Sequence, residues 1–298
     1  MGVTVIDPAV IVWYPARRAG APMRYRDYVA LALPDAGPGP DGKPGTLDGY
    51  AAFLRGNGVP AAGIEAWLAA PMAASRDARP ARGRFPVVLI APGNGGAVHD
   101  EAALGEFLAS HGYVAAVTPS PGWRGREMQS DADILPVARE QAAQLAAALD
   151  RVRRLPYAVP ARWAVVGYSF GARSALVLAG LRPGMRALVS LAGGIGSAQG
   201  KGWLPADAFD RAAMTTPILH VYDDADASVP PDFALLDSLT SARRTLTKVP
   251  GLGHFDLITY GLASACLPAL QAGDASAQAA RIERVFEATR AFLDAHVR

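Results

Sequence analysis

An α/β fold around a mainly parallel sheet is what this sequence predicts, and three observations predict it. From Phe85 onward, short apolar runs alternate with segments of helical periodicity. That alternation is the mark of strand–helix–strand units. The runs are apolar throughout, as in strands buried on both faces, and not alternately apolar and polar. Finally, 298 residues of which 51% are hydrophobic can fill one large core. Chains of this length often form one α/β domain, so residues 1–298 are read as a single domain with an insertion at about 35–84.

Taken in order, residues 10–14 (Val-Ile-Val-Trp-Tyr) read as a strand stopped by Pro15, and residues 25–33 as a second strand stopped by Pro34. Their direct linkage suggests antiparallel strands at one edge of the sheet. Residues 35–45 form a Pro/Gly-rich loop, followed by short helical patches at 47–54 and 60–70 and a polar, basic stretch at 76–84. Strands are then expected at 87–91, 113–118, 163–168, 187–192, 217–222 and 244–249. Helices are expected at 100–110, 137–153, 170–181, 231–239 and 279–297, placed on both faces of the sheet. The clearest is 137–153, where Val137, Ala138, Ala142, Leu145, Leu149 and Val152 repeat at helical spacing.

Composition excludes several classes. A formal net charge of +2 with scattered basic residues gives no footprint for nucleic acid. Cys266 is the only cysteine, which rules out an intramolecular disulfide and a thiolate metal cluster. No apolar run approaches the roughly 18 residues of a membrane span. Met1-Gly2-Val3-Thr4 lacks the basic and apolar regions of a signal peptide. As it stands the sequence reads as cytoplasmic, or as periplasmic or secreted if a leader has been removed.

The chemistry centres on Gly167-Tyr168-Ser169-Phe170-Gly171, between a predicted strand and a predicted helix. That context fits a nucleophile elbow, with the glycines clearing space around a strained turn that presents Ser169. A serine hydroxyl needs a base. His254, in Pro250-Gly251-Leu252-Gly253-His254 just past the last strand, falls on the same sheet edge as Ser169. His99, His111, His220 and His296 read as structural or solvated. The imidazole needs an acceptor in turn. Asp223, Asp224 and Asp226 all follow the strand at 217–222, and spacing alone does not choose among them. Ala91-Pro92-Gly93-Asn94-Gly95-Gly96 leaves its strand at the same edge and reads as an oxyanion loop. It has neither the Lys-Ser/Thr ending of a P-loop nor the spacing of a dinucleotide fingerprint.

Over most of residues 85–298 the chain resembles the α/β-hydrolases. Within them it resembles the dienelactone-hydrolase-like and platelet-activating-factor-acetylhydrolase-like serine esterases, with the bacterial polyester hydrolases as cousins. The stretches that carry the likeness are Trp13-Tyr14-Pro15-Ala16, Arg84-Phe85-Pro86-Val87-Val88-Leu89, Ala109-Ser110-His111-Gly112-Tyr113-Val114, the elbow itself, and Asp224-Ala225-Asp226-Ala227-Ser228-Val229-Pro230. The resemblance implies Ser169 as nucleophile, His254 as base, Asp226 as the acid, and the backbone amides of Asn94 and Phe170 as oxyanion hole. Serine stands where dienelactone hydrolase itself carries cysteine, and Pro92-Gly93 where the phospholipid enzymes often show His-Gly.

The expected activity is cofactor-independent, metal-free hydrolysis of small-molecule or polymeric carboxylic esters through an acyl-enzyme. The rivals are a thioesterase or small-peptide hydrolase with the same triad, and a non-catalytic binding protein on the same scaffold. The short segment at 193–216 leaves little room for a lid. The insertion is the candidate cover, with Trp67, Leu68 and Met72 facing the pocket or packing on the sheet. Trp123 is a further candidate pocket wall. Oligomeric state is left open by the sequence.

Overall fold

The computed structural model describes residues 1–7, 10–17, 20–32, 47–56, 58–126, 128–205, 207–263 and 275–298. The uniformly apolar runs predicted as strands form the middle of the sheet: β5 (Phe85–Ala91), β6 (Val114–Val117), β7 (Ala158–Tyr168), β8 (Met185–Leu191) and β9 (Ile218–Tyr222). They are joined by β10 (Arg244–Lys248) at one edge. At the other lie β1 (Gly2–Asp7), β2 (Val10–Tyr14), β3 (Pro22–Arg24) and β4 (Pro71–Arg76). The described residues make one sheet in the order β10-β9-β8-β7-β5-β6-β2-β1-β4-β3. The run from β6 to β10 is parallel, and β2 pairs antiparallel with both β6 and β1.

Successive side chains of the central strands supply the two sides of the core. Val88, Ile90, Ala164 and Val166 pack on one face with residues of α4 (Ala102–Ser110) and α8 (Ala275–Val297). Val87, Leu89, Ala91 and Val165 pack on the other, with α5 (Ile134–Val152) and α6 (Gly171–Leu181). Strand order reverses at β5, which sends the chain to β6 on one side and β7 on the other. Such a switch point opens a crevice at the carboxyl ends of the strands. Ala91 of β5 lies beside Gly167 of β7, so the Gly-rich loop and the elbow leave the sheet next to one another.

Residues 25–33, expected as a strand, are instead helix α1 (Tyr25–Ala32). The density of tyrosine, valine and leucine suggested β structure. The buried positions Tyr25, Tyr28, Val29 and Ala32 nevertheless repeat at helical spacing. Tyr28 fixes the helix against the sheet. It accepts from Trp13 Nε1 at 2.9 Å and donates to Glu106 at 2.7 Å. Glu106 also accepts the amides of Ala73 and Ala74, which satisfies this buried carboxylate.

The expected insertion is corrected at its C-terminal end, because Pro71–Arg76 is a sheet strand. With only Ala74 fully buried, it offers no apolar run to reveal it. Helices α2 (Leu47–Gly56) and α3 (Ala61–Ala69) follow the predicted patches, while 33–46 lie outside the described residues. With α1 they enclose a separate small core containing Tyr25, Tyr50, Leu54, Ile64 and Trp67. The predicted helix at 231–239 is reduced to α7 (Ala234–Ser238). Among the described residues no helix is long and apolar enough to cross a membrane.

Candidate active site

Ser169 follows β7 directly and holds φ at 51°, in the left-handed region that non-glycine residues seldom occupy. Such a conformation costs about 1–3 kcal/mol and persists only where neighbours enforce it. Here the Ser169 amide donates to the Leu191 carbonyl at 2.9 Å, and its own carbonyl accepts from Gly194 at 2.9 Å. The flanking glycines are steric requirements. A Cβ on Gly167 would sit 2.6 Å from the backbone of Ala172, and one on Gly171 only 1.9 Å from the Ala91 carbonyl oxygen.

His254 opens a 3-10 turn, His254–Leu257, beyond β10. The turn is pinned from several sides. Tyr168 donates to the His254 carbonyl at 3.1 Å, and Asp256 accepts the Gly253 amide at 2.9 Å and a bond from Gln278 of α8. The imidazole meets Ser169 Oγ through Nε2 at 3.0 Å and Asp226 Oδ2 through Nδ1 at 2.8 Å. Asp226 is buried, which opposes its charge. The bond and charge of His254, with the amides of Ser228 and Val229, still hold its carboxyl below the usual range.

The other two candidate acids lie elsewhere. Asp223 accepts the Gly251 amide at 2.8 Å and so ties β9 to the loop that carries His254. Asp224 pairs with Lys248 at the surface.

Asn94 and Phe170 flank the serine from the Gly-rich loop and the elbow. Among the described residues their amides donate to no backbone carbonyl. Phe170 also immediately precedes α6, whose N-terminus favours negative charge. Arg173, one turn into α6, is buried and its guanidinium is pushed down to about 10 by desolvation. It donates to the carbonyls of Gly194 at 3.3 Å and Gln199 at 2.5 Å, bracing the loop behind the nucleophile.

Two clefts meet at Ser169 and Asn94. One, of about 340 Å³, is polar and includes Ser130, Asp131 and Arg173. The other, of about 380 Å³, has walls from Tyr50, Phe53, His99, Trp123, Phe255 and Tyr260. Trp123 thus lines the cleft as expected, from the 3-10 turn Pro121–Arg124. Trp67 does not line it. Its ring packs 4.0 Å from that of Tyr25, inside the small core beneath α2. The insertion reaches the cleft through Tyr50 and Phe53 of α2 instead.

Sequence reasoning missed both of those residues, along with Glu101 and His99. Their place at the cleft comes from long-range packing that no local motif announces. Among the described residues no group of three or more His, Cys, Asp or Glu side chains is arranged to hold a metal ion.

Residues 72–256 match the Dienelactone hydrolase family. No curated protein matches the sequence. Among solved structures, the chain is similar to a ferulic acid esterase from Streptomyces cinnamoneus, with a TM-score of 0.66 and 19% identity over 97% of this chain and 82% of that one. It is also similar to DcsB, solved in complex with a substrate analogue, with a TM-score of 0.51 and 16% identity over 72% of this chain and 92% of that one. These likenesses show an α/β-hydrolase fold.

Proposed function

The chain belongs to the dienelactone hydrolase family and is a carboxylic ester hydrolase, and from that premise we propose that it works through an acyl-enzyme on Ser169. The observation that carries this reading is the continuous relay Asp226–His254–Ser169, with links of 2.8 and 3.0 Å. His254 Nε2 accepts the Ser169 proton as Oγ attacks the ester carbonyl. Asp226 accepts the Nδ1–H, fixing the tautomer and stabilising the imidazolium that forms. The amides of Asn94 and Phe170 receive the oxyanion. His254 then protonates the departing alkoxide, and water releases the acid by the same steps.

The substrate is a small-molecule or polymeric ester that straddles the two clefts, one side of which is covered by α2. The test is a fluorophosphonate probe together with a series of p-nitrophenyl esters. We expect labelling confined to Ser169, a burst of p-nitrophenol, and loss of both in Ser169→Ala. Unimpaired turnover in that variant would refute the mechanism. Ser169→Ala, His254→Ala and the double variant should each lose a similar factor, on the order of 10⁴ or more, because groups acting as a unit are not additive.

A further inference from the structure

The cleft wall lined by aromatic rings contains polar atoms that nothing among the described residues satisfies. Glu101 is 1% exposed, and neither of its carboxyl oxygens has a hydrogen-bond partner. His99 is equally buried, and its Nε2 has no partner. Trp123, 7% exposed, has an Nε1–H without an acceptor. All three residues line the same cleft as Ser169.

Buried polar groups are almost always paired, because desolvation without a partner is costly. Asp100 Oδ1, on the same wall, also lacks a hydrogen-bond partner among the described residues, so four such groups around one cleft call for an occupant that brings hydrogen bonds. Their chemistry is complementary. Trp123 can only donate, while His99 donates or accepts at Nε2 according to its tautomer. Burial first, and the neighbouring Asp100 carboxylate second, push the Glu101 carboxyl far up. Its neutral form both donates and accepts.

The wall is also pre-organised. Hydroxyls run from Tyr260 to Tyr50 at 2.8 Å, from Tyr50 to Tyr25 at 3.4 Å, and from Tyr25 to His99 Nδ1 at 2.9 Å, so the imidazole is held in place. The Trp123 ring meets His99 edge-on, at 5.7 Å between centroids.

We propose that this cleft selects esters whose buried portion is a flat ring bearing a hydroxyl group, with that hydroxyl bound by Trp123 Nε1, His99 Nε2 and Glu101. The rings of Tyr50, Phe53 and Phe255 supply the stacking walls, and the unpaired wall atoms supply the hydroxyl's partners. This rests on the reading of Ser169 as nucleophile, which fixes the cleft beside the scissile bond.

Two matched pairs test it, one for each side of the ester. Methyl 3-(4-hydroxyphenyl)propanoate is compared with methyl 3-phenylpropanoate, and 2-(4-hydroxyphenyl)ethyl acetate with 2-phenylethyl acetate. We expect kcat/KM to favour the hydroxylated member of at least one pair by on the order of 10², since a site built for a hydroxyl discriminates strongly against its absence. In Trp123→Phe, checked for folding by thermal melting, that ratio should collapse by about tenfold.

Ser169-dependent hydrolysis with equal rates within both pairs would overturn the inference and leave the proposed mechanism intact. An undiminished preference in Trp123→Phe would overturn the assignment to this wall. Calorimetric binding of the four esters to Ser169→Ala separates the two readings. A tighter Kd for a hydroxylated member supports the cleft assignment even if no ester is turned over. Equal Kd values within both pairs count against it.

Discussion

Asp223, Asp224 and Asp226 occupy four consecutive positions with Ala225 and yet meet three unrelated partners: the Gly251 amide, Lys248 and His254. Asp226→Asn should lose about 10³–10⁴ in kcat, because the amide favours the wrong imidazole tautomer. Asp224→Asn touches only a surface pair and should leave turnover unchanged. Asp223→Asn loosens the loop carrying His254 and should fall between them. Steady-state kinetics on one ester rank the three, and a larger loss at Asp223 than at Asp226 would reassign the acid. Asn94 separates main chain from side chain in the same way. Asn94→Ala should retain most activity, whereas Asn94→Pro removes the amide donor and should cost about 10²–10³ in kcat. At this scale the meeting of Ser169 and His254 was legible because each sits past a strand end within a short motif. Which carboxylate meets His254 was not legible from spacing, since all three follow the same strand, and the expectation of Asp226 rested on the family resemblance. Glu101 and His99 were illegible as parts of the cleft, because their burial depends on partners distant in sequence, such as Tyr25, which bonds His99.

Helices α1, α2 and α3 show why element type and element role are separate questions. The patches that became α2 and α3 were readable from apolar spacing, while the tyrosine-rich α1 was misread as a strand. Which helix faces the cleft was not readable at all. Both α2 and α3 carry large aromatic residues, and only their packing assigns Phe53 to the cleft and Trp67 to the core. The two therefore predict opposite phenotypes. Trp67→Ala opens a cavity beneath α2, and burial of this kind is worth about 3–5 kcal/mol on truncation. Its Tm should fall by roughly 10 °C, with activity lowered evenly across an ester series. Phe53, 44% exposed, can be lost with little change in Tm. Phe53→Ala should instead weaken selection among esters with large buried groups and spare short acetyl esters. Melting curves and chain-length profiles on both variants decide the matter, and a flat profile in Phe53→Ala would remove α2 from the specificity wall.

Across the whole molecule, the sheet was the most legible feature, because strands buried on both faces write themselves as unbroken apolar runs. The exceptions carry information. His220 interrupts the β9 run, and the structure buries it in the sheet, where its Nδ1 lies 2.8 Å from Ser190 Oγ on the neighbouring strand. The residue was read as structural or solvated; it is buried, and the consequence is a pH dependence of stability. Burial pushes the imidazole down to about 4. In the unfolded chain it titrates near 6.5. Between these values the unfolded state holds a proton that the native state lacks, so stability is complete above about pH 6.5 and is lost as pH falls toward about 4. The slope approaches ~1.4 kcal/mol per pH unit, or about 3 kcal/mol over the window. Glu101 acts in the opposite sense. Its raised value means that the native state holds the extra proton, a contribution present at low pH and lost as pH rises. A wild-type profile alone would mix the two, whereas the difference from His220→Gln isolates the histidine. Denaturant midpoints measured from pH 7.5 to 4.5 should fall more steeply for the wild type than for the variant, which begins less stable and converges on it in acid. Parallel profiles would show that His220 takes up its proton as readily in the native state as in the unfolded chain, and the acid sensitivity would then have to originate in other groups.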